Sequence, residues 1–253
     1  GRANLREPPP GRDFVLPPAA SETAVPIDPP PLDVIYEDNH LLVVNKPAML
    51  ATMGAPSGQP TLLAEAKAYV KRAYEKPGNV YLGTVSRLDA PVTGVVVFAR
   101  TSKAAARLSQ QLRDADFEKL YWAVVAGGAV PDADECIDWV VQDERHRRMH
   151  IADAETPGAK EARLAFRRVQ SLAEGELLEV HLQTGRKHQI RLQLAQRGYP
   201  ILGDRKYGSR AGFPHGIALH ARQLTLEHPV AHESMTFVAP LPVAWRQLGI
   251  DAE

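Results

Sequence analysis

Short runs of apolar, β-prone residues recur along the chain from Leu32 onward and constrain the fold more than any other feature. Polar turns separate them, and few stretches show the 3.6-residue spacing of an amphipathic helix. The predicted strands lie at 34–36, 41–44, 95–98, 120–126, 163–170, 177–183, 219–226 and 235–238. Since helices do not alternate regularly with these strands, we predict an α+β fold with a mixed, mainly antiparallel sheet flanked by helices.

Three segments have helical spacing. Thr61 is predicted to cap a helix that reaches Ala73, and Ser102 is predicted to cap the next one. A third, short helix is expected from Lys187 to about Arg197, because Gly198 is a good C-terminal stop.

The first 32 residues hold nine of the 21 prolines. Proline lacks the amide donor and prevents regular helix or sheet, so a largely extended arm is predicted over residues 1–32. A globular, catalytic domain is predicted over residues 33–253.

Composition limits the class of protein. Thirty basic residues balance thirty acidic ones, so a nucleic-acid partner would need a local concentration of positive charge. No run approaches the roughly 18 apolar residues of a membrane span, and no membrane partner is expected. The single cysteine, Cys136, cannot form an internal disulfide, which favours a reducing, cytoplasmic compartment.

The segment Ser86-Arg87-Leu88-Asp89 precedes Ala90-Pro91-Val92-Thr93-Gly94 and the apolar run that follows. An aspartate between a polar turn and a strand is, by itself, most often a turn-former. Here Arg87 would share a face with Asp89 in an extended segment, and Gly94 permits a close backbone approach. Asp89 is therefore a candidate catalytic carboxylate.

The segment 184–191 places four candidate cations in six residues: Arg186, Lys187, His188 and Arg191. If the helix begins at Lys187, then Lys187 and Arg191 lie one turn apart on a common face. Residues 181–210 contain seven Lys or Arg and one acid, Asp204, an asymmetry typical of a phosphate-binding surface. A solvated helix face is the alternative. A second, more diluted basic patch comprises Arg145, Arg147, Arg148 and His150.

Tyr121 alternates with apolar residues in a predicted strand. It is either a core aromatic or a stacking platform for an unpaired base. Asp38, Glu118 and Asp204 remain open as carboxylate partners of Asp89, and no spacing favours a glycosidase pair. The nine histidines lack zinc-ligand spacing, so neither a metal nor a cofactor is predicted.

Seven segments together resemble the RluA-type family of RNA pseudouridine synthases, over most of residues 34–240. They are Val44-Asn45-Lys46-Pro47-Ala48, Ser86–Gly94, Lys119-Leu120-Tyr121-Trp122-Ala123, Thr184–Arg191, Gly198–Asp204, and the closing pieces His220-Ala221 and Met235–Pro240. This chain departs from the family pattern at Ser86, where histidine is usual, at Val92-Thr93, and at Met49, where glycine is common.

The resemblance implies a bifurcated sheet and cofactor-free isomerisation of a uridine in ribosomal or transfer RNA. It implies that Asp89 is the catalytic carboxylate, that Tyr121 stacks on the base and is a candidate base for the C5 proton, and that Arg191 is the ionic partner of Asp89. Arg87 is expected to enter the position vacated by the target base. Arg186, Lys187 and His188 are expected to contact RNA, and the protein is expected to be a monomer.

Two other classes of function stay open at this point. A non-catalytic RNA-binding or assembly protein could keep the same fold. A carboxylate-dependent glycoside hydrolase or nucleosidase would release free uracil instead of isomerising the nucleoside.

Overall fold

An eleven-stranded sheet forms the centre of the fold in the computed structural model, which describes residues 31–146 and 148–250. The strands are β1 (Val34–Glu37), β2 (Leu41–Lys46), β3 (Gly83–Thr84), β4 (Thr93–Ala99), β5 (Glu118–Val125), β6 (Ala133–Asp143), β7 (Arg148–Ala152), β8 (Lys160–Leu172), β9 (Gly175–Leu182), β10 (Leu219–Glu227) and β11 (Ser234–Val238). The helices are α1 (Leu62–Ala73), α2 (Ser102–Arg113), α3 (Gln189–Gln196) and α4 (Val243–Arg246), with a 3-10 turn at Arg205–Tyr207. The predicted α+β class is confirmed.

The sheet branches at β10. Its main path runs β1-β2-β4-β10-β5-β9-β8-β6-β7, while β11 pairs with β10 and β3 pairs with β4. Within the described residues, β10 and β4 form the one parallel pair, and the other pairings are antiparallel. The mixed, mainly antiparallel and bifurcated sheet therefore agrees with the prediction.

The strands β2 and β4 are buried on both faces, which explains their nearly continuous apolar sequences. Leu42, Val44, Val96 and Phe98 pack into a core that includes α1. The alternate residues of the same strands, 41, 43, 95 and 97, pack into a second core that includes α2. Because burial of each such side chain stabilises the fold by about 1.5–3 kcal/mol, these two strands form a rigid base for the loop that precedes β4.

The start of β4 lies directly against β10. Gly94 has φ +116°, and a side chain there would collide with the backbone of Ala221, so glycine is required. The Thr93 hydroxyl makes a 2.7 Å hydrogen bond to Nδ1 of His220, which is fully buried. These contacts hold the segment after Asp89 in a fixed position.

All eight predicted strands are present, but three strands were not predicted. β3 has only two residues, and in β6 and β7 charged or polar residues interrupt the apolar ones. In β6, only Cys136 and Val140 are buried, so the alternation on which strand prediction depends is absent.

Two predictions about helix starts were wrong and one was right. Thr61 caps α1 through its hydroxyl, as predicted. Thr101, not Ser102, caps α2, because the Thr101 hydroxyl accepts the Ala104 amide at 3.1 Å. Helix α3 begins at Gln189 because His188 is left-handed, with φ +53°, so Lys187 shares no helical face with Arg191.

The proline-rich arm predicted over residues 1–32 lies outside the described residues except for its last two, and Leu32 packs against the core. The boundary at residue 32 stays a prediction. Arg147 of the second basic patch also lies outside the described residues.

Across the described part of the chain, no helix combines the length and apolar character needed to cross a membrane.

Candidate active site

Asp89 lies in the loop between β3 and β4, at the wall of a cleft of about 630 Å³. Its lining includes the loop 85–92, the start of β5 with Tyr121, the segment 185–191 and the loop residues 51–53. The structure therefore brings together the two segments that sequence analysis singled out, although they lie about a hundred residues apart.

Arg191 connects two carboxylates. Its Nη1 donates to Oδ2 of Asp89 at 3.0 Å, and its Nε and Nη2 donate to the two carboxylate oxygens of Asp204 at 2.7 and 2.8 Å. Arg191 is 5% exposed and Asp204 is 1% exposed. Burial disfavours the charged guanidinium, but the hydrogen bonds and charges of Asp204 and Asp89 outweigh burial and raise the pKa of Arg191.

Asp204 was one of three carboxylates left open as partners of Asp89. It reaches Asp89 only through Arg191. Of the other two, Asp38 lies in the β1–β2 turn, where it pairs with His228 at 2.8 Å, and Glu118 is exposed at the start of β5. The sequence did not predict that Asp204 pairs with Arg191. The one sequence signal for Asp204 was its place at the end of the segment 198–204, which resembles the family pattern.

His188 faces inward. Its Nε2 lies 3.7 Å from Oδ2 of Asp89, and its Nδ1 lies 2.8 Å from the hydroxyl of Tyr207. The Met149 amide donates to that hydroxyl at 3.2 Å, and the Tyr207 O–H can in turn donate to Nδ1. In that arrangement the His188 proton is on Nε2, the nitrogen that faces Asp89.

The expected role of His188 as a cation for phosphate does not fit this environment. Burial lowers the pKa of His188 to about 4, with Asp89 opposing the shift and Arg191, Lys206 and Lys187 adding to it. The ring is therefore neutral at neutral pH, and it contacts Asp89 and Tyr207 rather than an exposed surface.

Lys46 fixes the backbone next to Asp89. Its buried Nζ donates to the carbonyl oxygens of Pro47, Leu50 and Ala90, at 2.8, 2.7 and 3.0 Å. Burial lowers the pKa of Lys46 to about 7, partly opposed by the charge of Asp89. The three carbonyls use all three N–H bonds of the ammonium group, so this side chain joins the loop after β2 to the loop that carries Asp89.

Tyr121 projects from β5 into the cleft, and no hydrogen bond joins its hydroxyl to another described residue. Burial and the nearby charge of Asp89 raise the pKa of Tyr121, so the phenol is protonated. An aromatic ring that projects into a cleft, with no hydrogen bond on its hydroxyl, is suited to pack against a flat ligand.

Of the expected RNA-contacting cations, Arg87, Arg186 and Lys187 are exposed and line the cleft. Arg186 is orientated by a 2.8 Å hydrogen bond from its Nε to the carbonyl oxygen of Glu161. The cleft therefore has exposed positive charge on both sides of Asp89, in a chain without net charge.

The departures from the family pattern are accommodated locally. The Val92 side chain is buried in the core, and Thr93 makes the hydrogen bond to His220. The Ser86 hydroxyl accepts the Val97 amide at 3.4 Å, and it borders a cavity of about 20 Å³ beside Tyr121. Met49 is 68% exposed and has φ +62°, a conformation that glycine adopts more easily.

Among the described residues, no group of three or more His, Cys, Asp or Glu is placed to hold a metal ion.

The sequence is similar to those of proteins named as RNA pseudouridine synthases. Residues 40–196 match the family model described as RNA pseudouridylate synthase. An uncharacterised RNA pseudouridine synthase of Synechocystis is 36% identical over 228 residues, which cover 86% of this chain and 68% of the relative. The ribosomal large subunit pseudouridine synthase D of Vibrio cholerae is 34% identical over 227 residues, which cover 84% of this chain and 68% of the relative.

A solved structure shows the same fold. The human protein RNA pseudouridylate synthase domain containing 4 superposes with a TM-score of 0.71 over 87% of this chain and 94% of that chain, at 24% identity. The structural likeness shows the fold, and the family model and the sequence relatives show the class: RNA pseudouridine synthases, which are isomerases. The chain belongs to the RNA pseudouridylate synthase family, and within it to the RluA type.

Proposed function

We propose that this protein converts specific uridines in RNA to pseudouridine and that Asp89 is the catalytic carboxylate. The observation that carries the proposal is the geometry of Asp89. Arg191 donates a hydrogen bond to its Oδ2, and His188 faces the same oxygen. No described residue donates a hydrogen bond to its Oδ1. One carboxylate oxygen is thus anchored and the other is available to a substrate in the cleft.

The proposed reaction is an isomerisation in which atoms balance without a co-substrate. The N1–C1′ bond of uridine breaks, the uracil turns while it stays bound, C5 bonds to C1′, C5 loses its proton and N1 gains one. The free oxygen of Asp89 acts either by attacking the sugar carbon or by accepting a sugar proton. Both routes need an ionised and orientated carboxylate, which explains a charged hydrogen bond from Arg191.

Tyr121 is proposed to pack against the uracil. Stacking explains an aromatic ring that projects into the cleft with an unbonded hydroxyl. The raised pKa of its phenol makes Tyr121 a poor acceptor for the C5 proton until the phenol has lost its own proton, so its environment favours stacking over the base role.

Arg191, in this proposal, holds the ionised Asp89 in place. Arg87 would enter the stack where the target base leaves it, because it is exposed at the cleft two residues before the acid. Arg186 and Lys187 would bind the backbone phosphates. His188, being neutral, would orientate Asp89 and would add no charge for phosphate.

The proposed substrate is ribosomal or transfer RNA, and the name of the Vibrio relative supports the ribosomal class. We also propose that the protein works as a monomer in the cytoplasm, where its buried, unpaired Cys136 suits a reducing environment.

The test is to incubate the protein and its Asp89→Asn variant separately with unmodified ribosomal and transfer RNA and to map pseudouridine at nucleotide resolution. Conversion by the wild type alone supports the proposal. RNA binding without any new pseudouridine would favour a non-catalytic assembly protein, and release of free uracil would favour a nucleosidase.

A further inference from the structure

Lys119 lies on β5 two residues before Tyr121 and has no role in the chemistry described above. Side chains two residues apart on a strand point to the same face, about 7 Å apart. Lys119 and Tyr121 accordingly both line the cleft. The lysine is half-buried, so its ammonium group faces the space in which a nucleotide stacked on Tyr121 would sit.

The ammonium group of Lys119 has no anionic partner among the described residues. In residues 31–146 and 148–250, no carboxylate lies within ion-pair distance of its Nζ and no acceptor is hydrogen-bonded to it. The carboxylate of Glu161, whose carbonyl oxygen accepts from Arg186, pairs with Arg163. The absence of a counter-ion is unusual for a half-buried charge, since buried charges are normally paired.

A second cation lies beside it. The Nζ of Lys119 lies against Gly185, where a Cβ would be 3.7 Å away, and Arg186 follows directly. Burial and the charge of Arg186 together lower the pKa of Lys119. The Arg186 Nε is held by the Glu161 carbonyl, whereas its two terminal nitrogens donate to no described residue.

Two neighbouring cations, one of them half-buried and both with unused donors, form a site for an anion with several oxygens. We propose that Lys119 and Arg186 together bind one phosphodiester group of the RNA strand, adjacent to the uridine that stacks on Tyr121. This inference rests on the proposed function for the identity of the anion. Lys119 and Arg186 line the same cleft as Asp89, but among the described residues neither cation forms a hydrogen bond or ion pair with Asp89, Arg191 or Asp204.

The simpler alternative is a lysine that buries its aliphatic stem and extends its ammonium group into water. That alternative predicts no dependence of RNA affinity on Lys119 beyond the general charge of the protein. A matched control is Lys67→Gln, which removes one positive charge from the exposed face of α1, away from the cleft.

The experiment measures binding of substrate RNA at several salt concentrations in an Asp89→Asn background, which prevents turnover. Lys119→Gln should weaken binding about tenfold and reduce the slope of log Kd against log salt by about 0.7–0.9, the contribution of one phosphate contact. Lys119→Arg should keep the slope, and Lys67→Gln should leave both the slope and the affinity unchanged. An unchanged slope in Lys119→Gln would overturn the inference.

A second readout identifies the phosphate. Phosphates around the target uridine are replaced one at a time by neutral methylphosphonates. At one position, the loss caused by the methylphosphonate and the loss caused by Lys119→Gln should not add, because both remove the same contact. Additive losses at every position would refute the site.

A third readout separates binding from chemistry. If Lys119→Gln in the active enzyme lowers the single-turnover rate at saturating RNA but leaves affinity intact, the phosphate assignment is wrong even though the protein is a synthase. Conversely, absence of pseudouridine formation by the wild type would remove the proposed function while the salt and methylphosphonate results still report on the anion site.

Discussion

Asp89 and Asp204 share one arginine, Arg191. We expect loss of the Asp204 charge to lower the stability of the protein and loss of the Asp89 charge to abolish pseudouridine formation. Asp204→Asn keeps the size of the side chain and removes the charge that faces Nε and Nη2 of Arg191. Hydrogen bonds to charged groups contribute about 1.5–3 kcal/mol each, so the two together contribute about 3–6 kcal/mol. Removal of one partner of a buried ion pair independently indicates a loss of about 3–5 kcal/mol. We therefore expect Asp204→Asn to lower the free energy of unfolding by about 3–5 kcal/mol.

Asp89→Asn is the matched control, with the same chemical change on the other side of the guanidinium group. The Asp89 side chain is 26% exposed, and Arg191 keeps both hydrogen bonds to Asp204 when Asp89 loses its charge. A partly exposed ion pair contributes at most about 1 kcal/mol. Asp89→Asn should therefore be nearly as stable as the wild type and form no pseudouridine.

Thermal unfolding distinguishes the two variants. In a domain of this size, 1 kcal/mol shifts Tm by about 2–4 °C, so Asp204→Asn should melt about 6–20 °C below the wild type and Asp89→Asn at most about 4 °C below it. Single-turnover conversion of RNA, measured well below both melting temperatures, reports on chemistry. If Asp204→Asn melts with the wild type, or if Asp89→Asn is as unstable as Asp204→Asn, the two carboxylates do not have the separate roles assigned to them.

Three further expectations concern Tyr121, two histidines and Lys46. Tyr121→Phe should bind RNA as tightly as the wild type, whereas Tyr121→Ala should lose about 1–3 kcal/mol of stacking energy in a fluorescence anisotropy titration; equal losses would contradict the stacking role. Burial lowers the pKa of His188 and of His220 to about 4, so the unfolded chain binds more protons between pH 6.5 and 4. Stability should be complete above about pH 6.5 and should fall by about 2 kcal/mol per histidine at pH 5, which urea unfolding at a series of pH values can measure; a flat profile would show that neither ring is held neutral. Lys46→Met should lower the unfolding free energy by about 3 kcal/mol because it leaves three carbonyl oxygens without a donor, and an unchanged Tm would contradict that role.

The strands and the pairing of Asp89 with Arg191 could both be predicted from the sequence, but for different reasons. Strands such as β2 and β4 have apolar runs long enough to be seen locally. The ion pair joins residues 102 positions apart, and only the resemblance to a family related them. Spacing alone could not have done so.

The contacts of Asp204 and His188 depend on backbone conformations that residue type does not show. Gly203 turns the chain into Asp204 with φ +82°, in a space where a Cβ would lie 2.7 Å from the carbonyl oxygen of Gly216. His188 adopts φ +53°, which delays α3 by two residues and turns the imidazole toward Asp89. A histidine with a positive φ is uncommon, so helical periodicity predicted a continuous helix and a surface cation instead.

The position of β10 in the sheet determines when the site can exist. Asp89 precedes β4 and Tyr121 lies on β5, yet these strands are not neighbours, because β10 lies between them. Its residues follow Tyr121 by about a hundred positions, and Thr93 and His220, which join β4 to β10, lie 127 positions apart. A fragment ending after Arg191 or even Asp204 would thus contain every side chain assigned to the chemistry and still lack the strand that sets their spacing. The proposed site is therefore complete only when β10, which ends at Glu227, has taken its place in the sheet.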